Sequence, residues 1–236
     1  MTALLEIKDL SVNFPLSGGV LDAFIPGQRK YIDILDHISL SLKAGETLGI
    51  VGESGSGKTT LARAILGLLP TSGGSIYFDG AELKSRQSFA AMRKSSAMMF
   101  QDPVASLSPR MTIGALLTEP FIIHAIAMAS RKAKAEELLR RVGLSADMAN
   151  RYPHELSGGQ ARRVGVARAL ALNPKLVIAD EPTAGLDVSV QGEILNLMTE
   201  LKTLLGLSYM IITHNLAMVR HVSDRIAVMY LGRLFE

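Results

Sequence analysis

The chain contains no cysteine, which excludes disulfides and thiolate metal sites and suits a reducing compartment. It lacks the basic start and apolar core of a secretory signal. Its first residues, MTALLEIKDL, read instead as a short apolar strand with acids at 6 and 9. No hydrophobic run reaches the roughly 20 residues that a membrane span requires. The longest candidate, residues 115–129, is interrupted by Glu119, Pro120 and His124. The chain therefore reads as one that does not cross a membrane, though it could bind a protein that does. There is little excess charge either. The 25 Lys and Arg against 22 Asp and Glu leave a formal charge of +3, too balanced for wholesale nucleic-acid binding, and no nucleic-acid partner is expected. Internal repeats and low-complexity tracts are also missing. Apolar residues make up 48% and charged residues 20% of the 236. That is enough for a sizeable core in one large domain, or in one domain carrying an inserted subdomain.

Short apolar strands are expected at 4–14, 34–42, 47–51, 75–78, 97–100, 176–180, 208–213 and 225–231. The Gly- and Pro-rich stretch between the first two reads as an extended loop. Helices are expected from 58 to about 69, from about 188 to 205, and after the 208–213 strand to about 222. The stretch from 101 to about 172 changes character and is helical in pattern; RKAKAEELLRRVGL shows apolar residues at helical spacing and ends at a glycine. Strands alternating with helices predict an α/β fold with a mainly parallel sheet covered on both faces. The helical middle reads as an insertion into that core.

Residues 52–59, GESGSGKT, match G-x-x-x-x-G-K-[ST] at every fixed position, between a strand and a helix. The glycines let backbone N–H groups turn inward around phosphate oxygens, and the helix N-terminus adds partial positive charge. Gly52, Ser54, Gly55, Ser56, Gly57, Lys58, Thr59 and Thr60 are thus candidate nucleotide-binding residues. Lys58 is expected on the β- and γ-phosphates and Thr59 on Mg²⁺. This motif alone leaves transporters, kinases, GTPases and helicases open.

The run LVIAD (176–180) followed by Glu181 is an apolar strand ending in two carboxylates. A phosphoryl-transfer site needs an acid near Mg²⁺, because a hard cation takes oxygen ligands. Asp180 fits that role, and Glu181 is placed to polarise an attacking water. Leu156-Ser157-Gly158-Gly159-Gln160 precedes a helical run. A Ser-Gly-Gly turn at a helix start is an anion-binding arrangement; it is also an ordinary helix N-cap.

LSGGQ, together with the phosphate loop and the acidic pair in this order, resembles the signature of the ABC ATPases. The resemblance covers essentially the whole chain. It implies a P-loop NTPase core of mainly parallel sheet, an antiparallel N-terminal β-subdomain and an inserted helical subdomain. The core would span 1–100 and 173–236, and the helical subdomain about 101–172. It further implies that Ser157, Gly158, Gly159 and Gln160 read the ATP bound to another subunit, so that two ATPs are sandwiched in a head-to-tail dimer. Gln101 resembles the glutamine that touches Mg²⁺ and the attacking water. Gly185-Leu186-Asp187 resembles the loop that crosses the dimer interface, and His214 the switch histidine on the γ-phosphate. Phe14 matches the aromatic that stacks on adenine, with Tyr31 as the competing position.

The strings GESGSGKTTLAR, FQDPVASLSPRMTIG and DEPTAGLDVSVQGEIL are most similar to the dipeptide, oligopeptide and nickel importer branch. The implied activity is ATP hydrolysis with ATP and Mg²⁺, coupled to uptake of peptides or nickel. The implied partners are a second nucleotide-binding subunit (self or sister), integral membrane permease subunits and, indirectly, a substrate-binding protein. The implied place is peripheral, at the cytoplasmic face of the plasma membrane. A soluble ABC ATPase without a permease, such as an accessory of a phosphonate-degrading complex, is the alternative. Three departures stand out. Asn215 follows His214 where relatives usually have Asp. Ala161-Arg162-Arg163 follows the signature where glutamines are common. The sequence also ends at GRLFE where relatives usually continue, as a shortened form or a cut chain would.

Overall fold

The computed structural model describes residues 3–15, 31–100 and 106–235. β1 (Ala3–Pro15) and β2 (Tyr31–Lys43) pair antiparallel, and β4 (Gly73–Phe78) and the two-residue β5 (Ala81–Glu82) extend the sheet in the order β2-β1-β4-β5. A second sheet holds β3 (Thr47–Gly52), β6 (Ser96–Met99), β7 (Leu176–Asp180), β8 (Ser208–Thr213), β9 (Arg225–Tyr230) and β10 (Arg233–Phe235). Its order is β10-β9-β3-β8-β7-β6. All neighbours from β9 to β6 run parallel; β10 closes an antiparallel hairpin on β9. The expected α/β architecture, a mainly parallel sheet beside an antiparallel N-terminal sheet, is the one observed.

The central strands are buried on both faces, which is why they read as unbroken apolar runs. Their side chains alternate between two cores. Val177, Ala179, Tyr209 and Ile211 join a cluster with Leu116 and Leu117 of α3 (Ile113–Ile123), Leu138 and Leu139 of α4 (Arg131–Arg141) and Val164 of α5 (Gly158–Ala169). Ile194 and Met198 of α6 (Val188–Leu205) complete that side. Leu176, Ile178, Met210 and Ile212 instead meet Leu61 and Ile65 of α1 (Lys58–Ile65) and the inner face of the antiparallel sheet, with Leu5, Leu10, Leu35 and Leu42. Between β6 and β7 the described residues hold three α-helices and no strand.

One local expectation needs correction. The helix after the phosphate loop ends at Ile65, not near 69. Gly67 takes φ 64°, its N–H bonds Ala64 O, and Leu68 N–H reaches back to Arg63 O at 2.8 Å. This glycine-centred motif stops the helix within the apolar run. A Cβ on Gly67 would meet the Phe89 ring at 2.4 Å, so the position admits only glycine. Phe89 belongs to α2 (Arg86–Lys94), a helix the periodicity does not announce because Met92 is its only fully buried residue. Its start is set locally by a capping box between Ser85 and Ser88. The final helix, α7 (Leu216–Val222), follows its N-cap Asn215 and ends where the sequence suggests.

Candidate nucleotide site

The loop between β3 and α1 is shaped by glycines at defined points. Gly55 and Gly57 take φ 81° and 105°, conformations that carry a large penalty for other residues. A Cβ at Gly52 would lie 2.1 Å from the Met229 carbonyl oxygen of β9. The loop is therefore pressed against the neighbouring strand. Gly57 is the N-cap of α1 and offers no side-chain oxygen, so amides of the first turn keep their capacity for an anion.

Lys58 is buried and folds back over the loop. Its Nζ donates to Gly52 O at 2.8 Å, Glu53 O at 2.6 Å and Ser56 Oγ at 3.3 Å. Burial holds its pKa below the usual lysine value, opposed by the charges of Glu181 and Asp180. Thr59 Oγ1 donates to Asp180 Oδ2 at 2.8 Å. Burial pushes the Asp180 carboxyl up from its ordinary value; the like charge of Glu181 adds to this, while the Thr59 hydrogen bond and the Lys58 and Arg63 cations oppose it.

Glu181 follows with φ 50°, a left-handed backbone that costs a non-glycine residue of order 1–3 kcal/mol. Its N–H bonds Ile212 O at 2.8 Å, pinning the turn to β8. Its Oε1 accepts from His214 N–H at 3.0 Å and lies 2.6 Å from His214 Nδ1, while Oε2 accepts from Thr213 Oγ1 at 3.0 Å. The imidazole is 69% exposed. Asn215, the departure beside it, is the N-cap of α7: its Oδ1 accepts from Met218 N–H at 3.1 Å. An amide oxygen does this as well as a carboxylate, and the carboxylate at His214 comes from Glu181 instead.

These parts surround one open cleft of ≈ 680 Å³, lined by Glu53, Ser54, Gly55, Gly57, Lys58, Thr59, Thr60, Asp180, Glu181 and His214, with Ile34 of β2 completing the wall beside Gly57. Gly52 and Ser56 stand behind it as partners of Lys58. Phe14 and Tyr31 do not line it; they are 38% and 51% exposed on adjacent rungs of the β1–β2 pair, where Phe14 opposes Ile32. Gln101 lies outside the described residues. Ser157, Gly158, Gly159 and Gln160 are also absent from the lining. Ser157 N-caps α5 in a capping box: its Oγ accepts from Gln160 N–H at 3.2 Å and its N–H donates to Gln160 Oε1 at 3.0 Å. Cβ atoms on Gly158 and Gly159 would touch Leu186 at 3.8 Å and Val190 at 3.3 Å, so the signature leans on the 185–190 turn. Buried Arg162 links the two by donating to Ala184 O at 2.6 Å.

Sequence reasoning passes over Thr213, Ile34 and Met229, and notes Arg162 only as a departure from the usual pattern. Thr213 stands next to a selected histidine, a signal that was available. Ile34 is the bulged residue where β2 steps from Leu35, opposite Val12, to Asp33, opposite Asn13; pairing register is invisible in one strand's sequence.

Thr59 Oγ1 and Asp180 Oδ2 present two hard oxygens at one point, the donor type Mg²⁺ requires. Among the described residues no group of three His, Cys, Asp or Glu side chains could hold a metal by itself. The residues therefore fit a cation shared with phosphate oxygens and water. A second groove, between β6, α3 and α5, is lined by Met98, Phe100, Pro120, His124, Arg168 and Leu172 among others.

Residues 35–184 match the family model described as ABC transporter. The chain belongs to the ABC transporter family. Among its relatives, this ABC cassette is 48% identical to the oligopeptide transport ATP-binding protein AppF of Bacillus subtilis, over 99% of this chain and 71% of that protein. It is 46% identical to OppF of Escherichia coli, over 99% and 70%. The fold of the cassette also matches the solved dimeric post-hydrolysis state of MJ0796 bound to ADP and Pi, with a TM-score of 0.84 at 28% identity over 98% of this chain and 97% of that one. Among the described residues no helix is long and apolar enough to cross a membrane.

Proposed function

We propose that this ABC cassette is the ATP-hydrolysing subunit of a peptide importer, bound at the cytoplasmic face of the membrane to permease subunits and served indirectly by a substrate-binding protein. The observation that carries the catalytic part is the convergence of Lys58, Thr59, Asp180, Glu181 and His214 on one cleft from three separate strand ends. The peptide assignment is supported by relatives named for oligopeptide and glutathione import.

In this reading Lys58 and the loop amides hold the β- and γ-phosphates. Thr59, Asp180 and Gln101 hold Mg²⁺, which when bound offsets phosphate charge. Glu181 takes a proton from the water that attacks the γ-phosphorus, and ADP leaves as phosphate forms. His214 turns its exposed ring from Glu181 to the γ-phosphate. Phe14, beyond Ile34 on the antiparallel sheet, stacks on adenine. Ser157, Gly158, Gly159 and Gln160 act on the nucleotide of a second cassette in a head-to-tail dimer, which their absence from this chain's cleft supports. Residues 1–100 and 173–236 form the nucleotide core. Residues 101–172 form a helical subdomain that passes closure to the permease near 101–110. Catalysis here is positioning and electrostatics.

ATP turnover of Glu181→Gln tests the reading. Hydrolysis should nearly vanish while an ATP-bound dimer accumulates; normal turnover would remove Glu181 from its role. Co-purification with an integral membrane protein tests the importer assignment, and its absence would favour a soluble ATPase.

A further inference from the structure

Thr213 ends β8 and is 1% exposed. Its hydroxyl proton goes to Glu181 Oε2 at 3.0 Å, and its oxygen accepts the Asn215 N–H at 3.1 Å. The hydroxyl thus bridges the carboxylate to the segment that carries His214. It also completes a set of three donors on Glu181, with His214 N–H and the imidazole holding the other oxygen. Glu181 needs such restraint. Its backbone is left-handed, and its side chain reaches from the end of one strand to the end of the next. A carboxylate held through one oxygen alone would still rotate about its terminal torsion, which is broad and poorly defined by sterics. The donor on the second oxygen removes that freedom. The strand itself does not require the hydroxyl: valine is the isostere that a strand buried on both faces would otherwise favour.

We propose that Thr213 is a positioning residue for hydrolysis. Its hydroxyl sets the carboxylate plane of Glu181 and ties that plane to the switch segment, so that the base and His214 are aimed together. The proposal rests on the reading of Glu181 as general base. It touches neither nucleotide nor metal in this account, so its removal should leave binding alone.

The experiment compares Thr213→Val, Thr213→Ser and Thr213→Ala in the full chain. Thr213→Val should lower kcat on the order of tenfold or more, the usual scale for a misaligned catalytic group. The dissociation constant of a fluorescent ATP analogue should change less than about twofold, since no phosphate contact is lost. Thr213→Ser should restore turnover to within about threefold of wild type, because the hydroxyl returns. In nucleotide-free protein the His214 amide should exchange faster in Thr213→Val than in Thr213→Ser, reporting the freed carboxylate. In a Glu181→Gln background Thr213→Val should cause no further loss, as residues acting as a unit are not additive. If Thr213→Val does not fold, Ser against Ala decides: a slow Ala variant supports the proposal, and equal rates overturn it. An inactive Glu181→Gln with wild-type turnover in Thr213→Val overturns the role of Thr213 alone. Normal turnover in Glu181→Gln overturns the reading beneath it.

Discussion

Thr59 Oγ1 donates a 2.8 Å hydrogen bond to Asp180 Oδ2 across 121 residues of chain, joining the start of α1 to the end of β7. Between their two strands lies β8, which brings His214. In the proposed reading, these two oxygens are the ones a cation would meet. Thr59→Val should therefore weaken the gain in ATP affinity that Mg²⁺ confers, by about tenfold, the worth of one hydrogen bond to a charged group. Titrating a fluorescent ATP analogue with Mg²⁺ and with a chelator, in wild type and variant, checks this. An undiminished Mg²⁺ effect would remove Thr59 from the metal.

The placement of Ser157 away from Lys58 has a sharper consequence. If the signature serves another cassette, chains carrying Lys58→Ala and chains carrying Ser157→Arg are each inactive. Mixed, they form some dimers with one intact composite site. With random pairing the mixture should recover about a quarter of wild-type ATP turnover. No recovery in protein shown to form mixed dimers would count against a composite site.

Phe14 and Tyr31 sit on neighbouring rungs beyond Ile34, and each is exposed enough to receive a base. Base–aromatic stacking is worth about 1–3 kcal/mol, so Phe14→Ala should raise the ATP dissociation constant roughly fivefold to a hundredfold. Tyr31→Ala should have little effect. The reverse ranking would move the stacking role to Tyr31.

Asp224 supplies a pH dependence separate from the cleft. Its Oδ2 accepts from Thr47 N–H at 2.7 Å and from Lys202 Nζ at 2.6 Å, tying β9 to β3 and α6. Burial pushes its carboxyl up, but the Lys202 bond and charge and the Thr47 amide outweigh it and hold the net value below the ordinary one. The folded state thus binds this proton less tightly than the unfolded state. The contribution is full above the ordinary carboxylate value of about 3.9 and is lost as pH falls through the lower folded value. The side chain is 54% exposed, so the loss in Asp224→Asn at neutral pH should be about 1 kcal/mol at most. Urea unfolding at pH 7 and at pH 3 checks it: the variant should be weaker at pH 7, and the gap should narrow at pH 3.

Much of this molecule is legible in one dimension because its chemistry is local in sequence. The phosphate loop, the acid pair that closes the LVIADE run and the signature are each contiguous, so their parts cannot drift apart in the fold. The central strands announce themselves as apolar runs because both faces are covered. What resists reading depends on partners from elsewhere. Ile34 reaches the cleft through a pairing bulge, and α1 stops early because Gly67 accepts a left-handed turn against Phe89. Thr213 matters through a hydroxyl that pattern alone treats as part of a strand. Helix α2 buries so little that only its cap betrays it.

The alternation of β7 and β8 between two cores bears on how the protein comes apart. Each of these strands carries residues of both clusters, Val177 beside Ile178 and Ile211 beside Ile212. Neither cluster can be melted without exposing the strands that complete the other. The helical and antiparallel layers consequently share one cooperative transition, and heating should give a single sharp calorimetric peak in place of stepwise loss of separate modules.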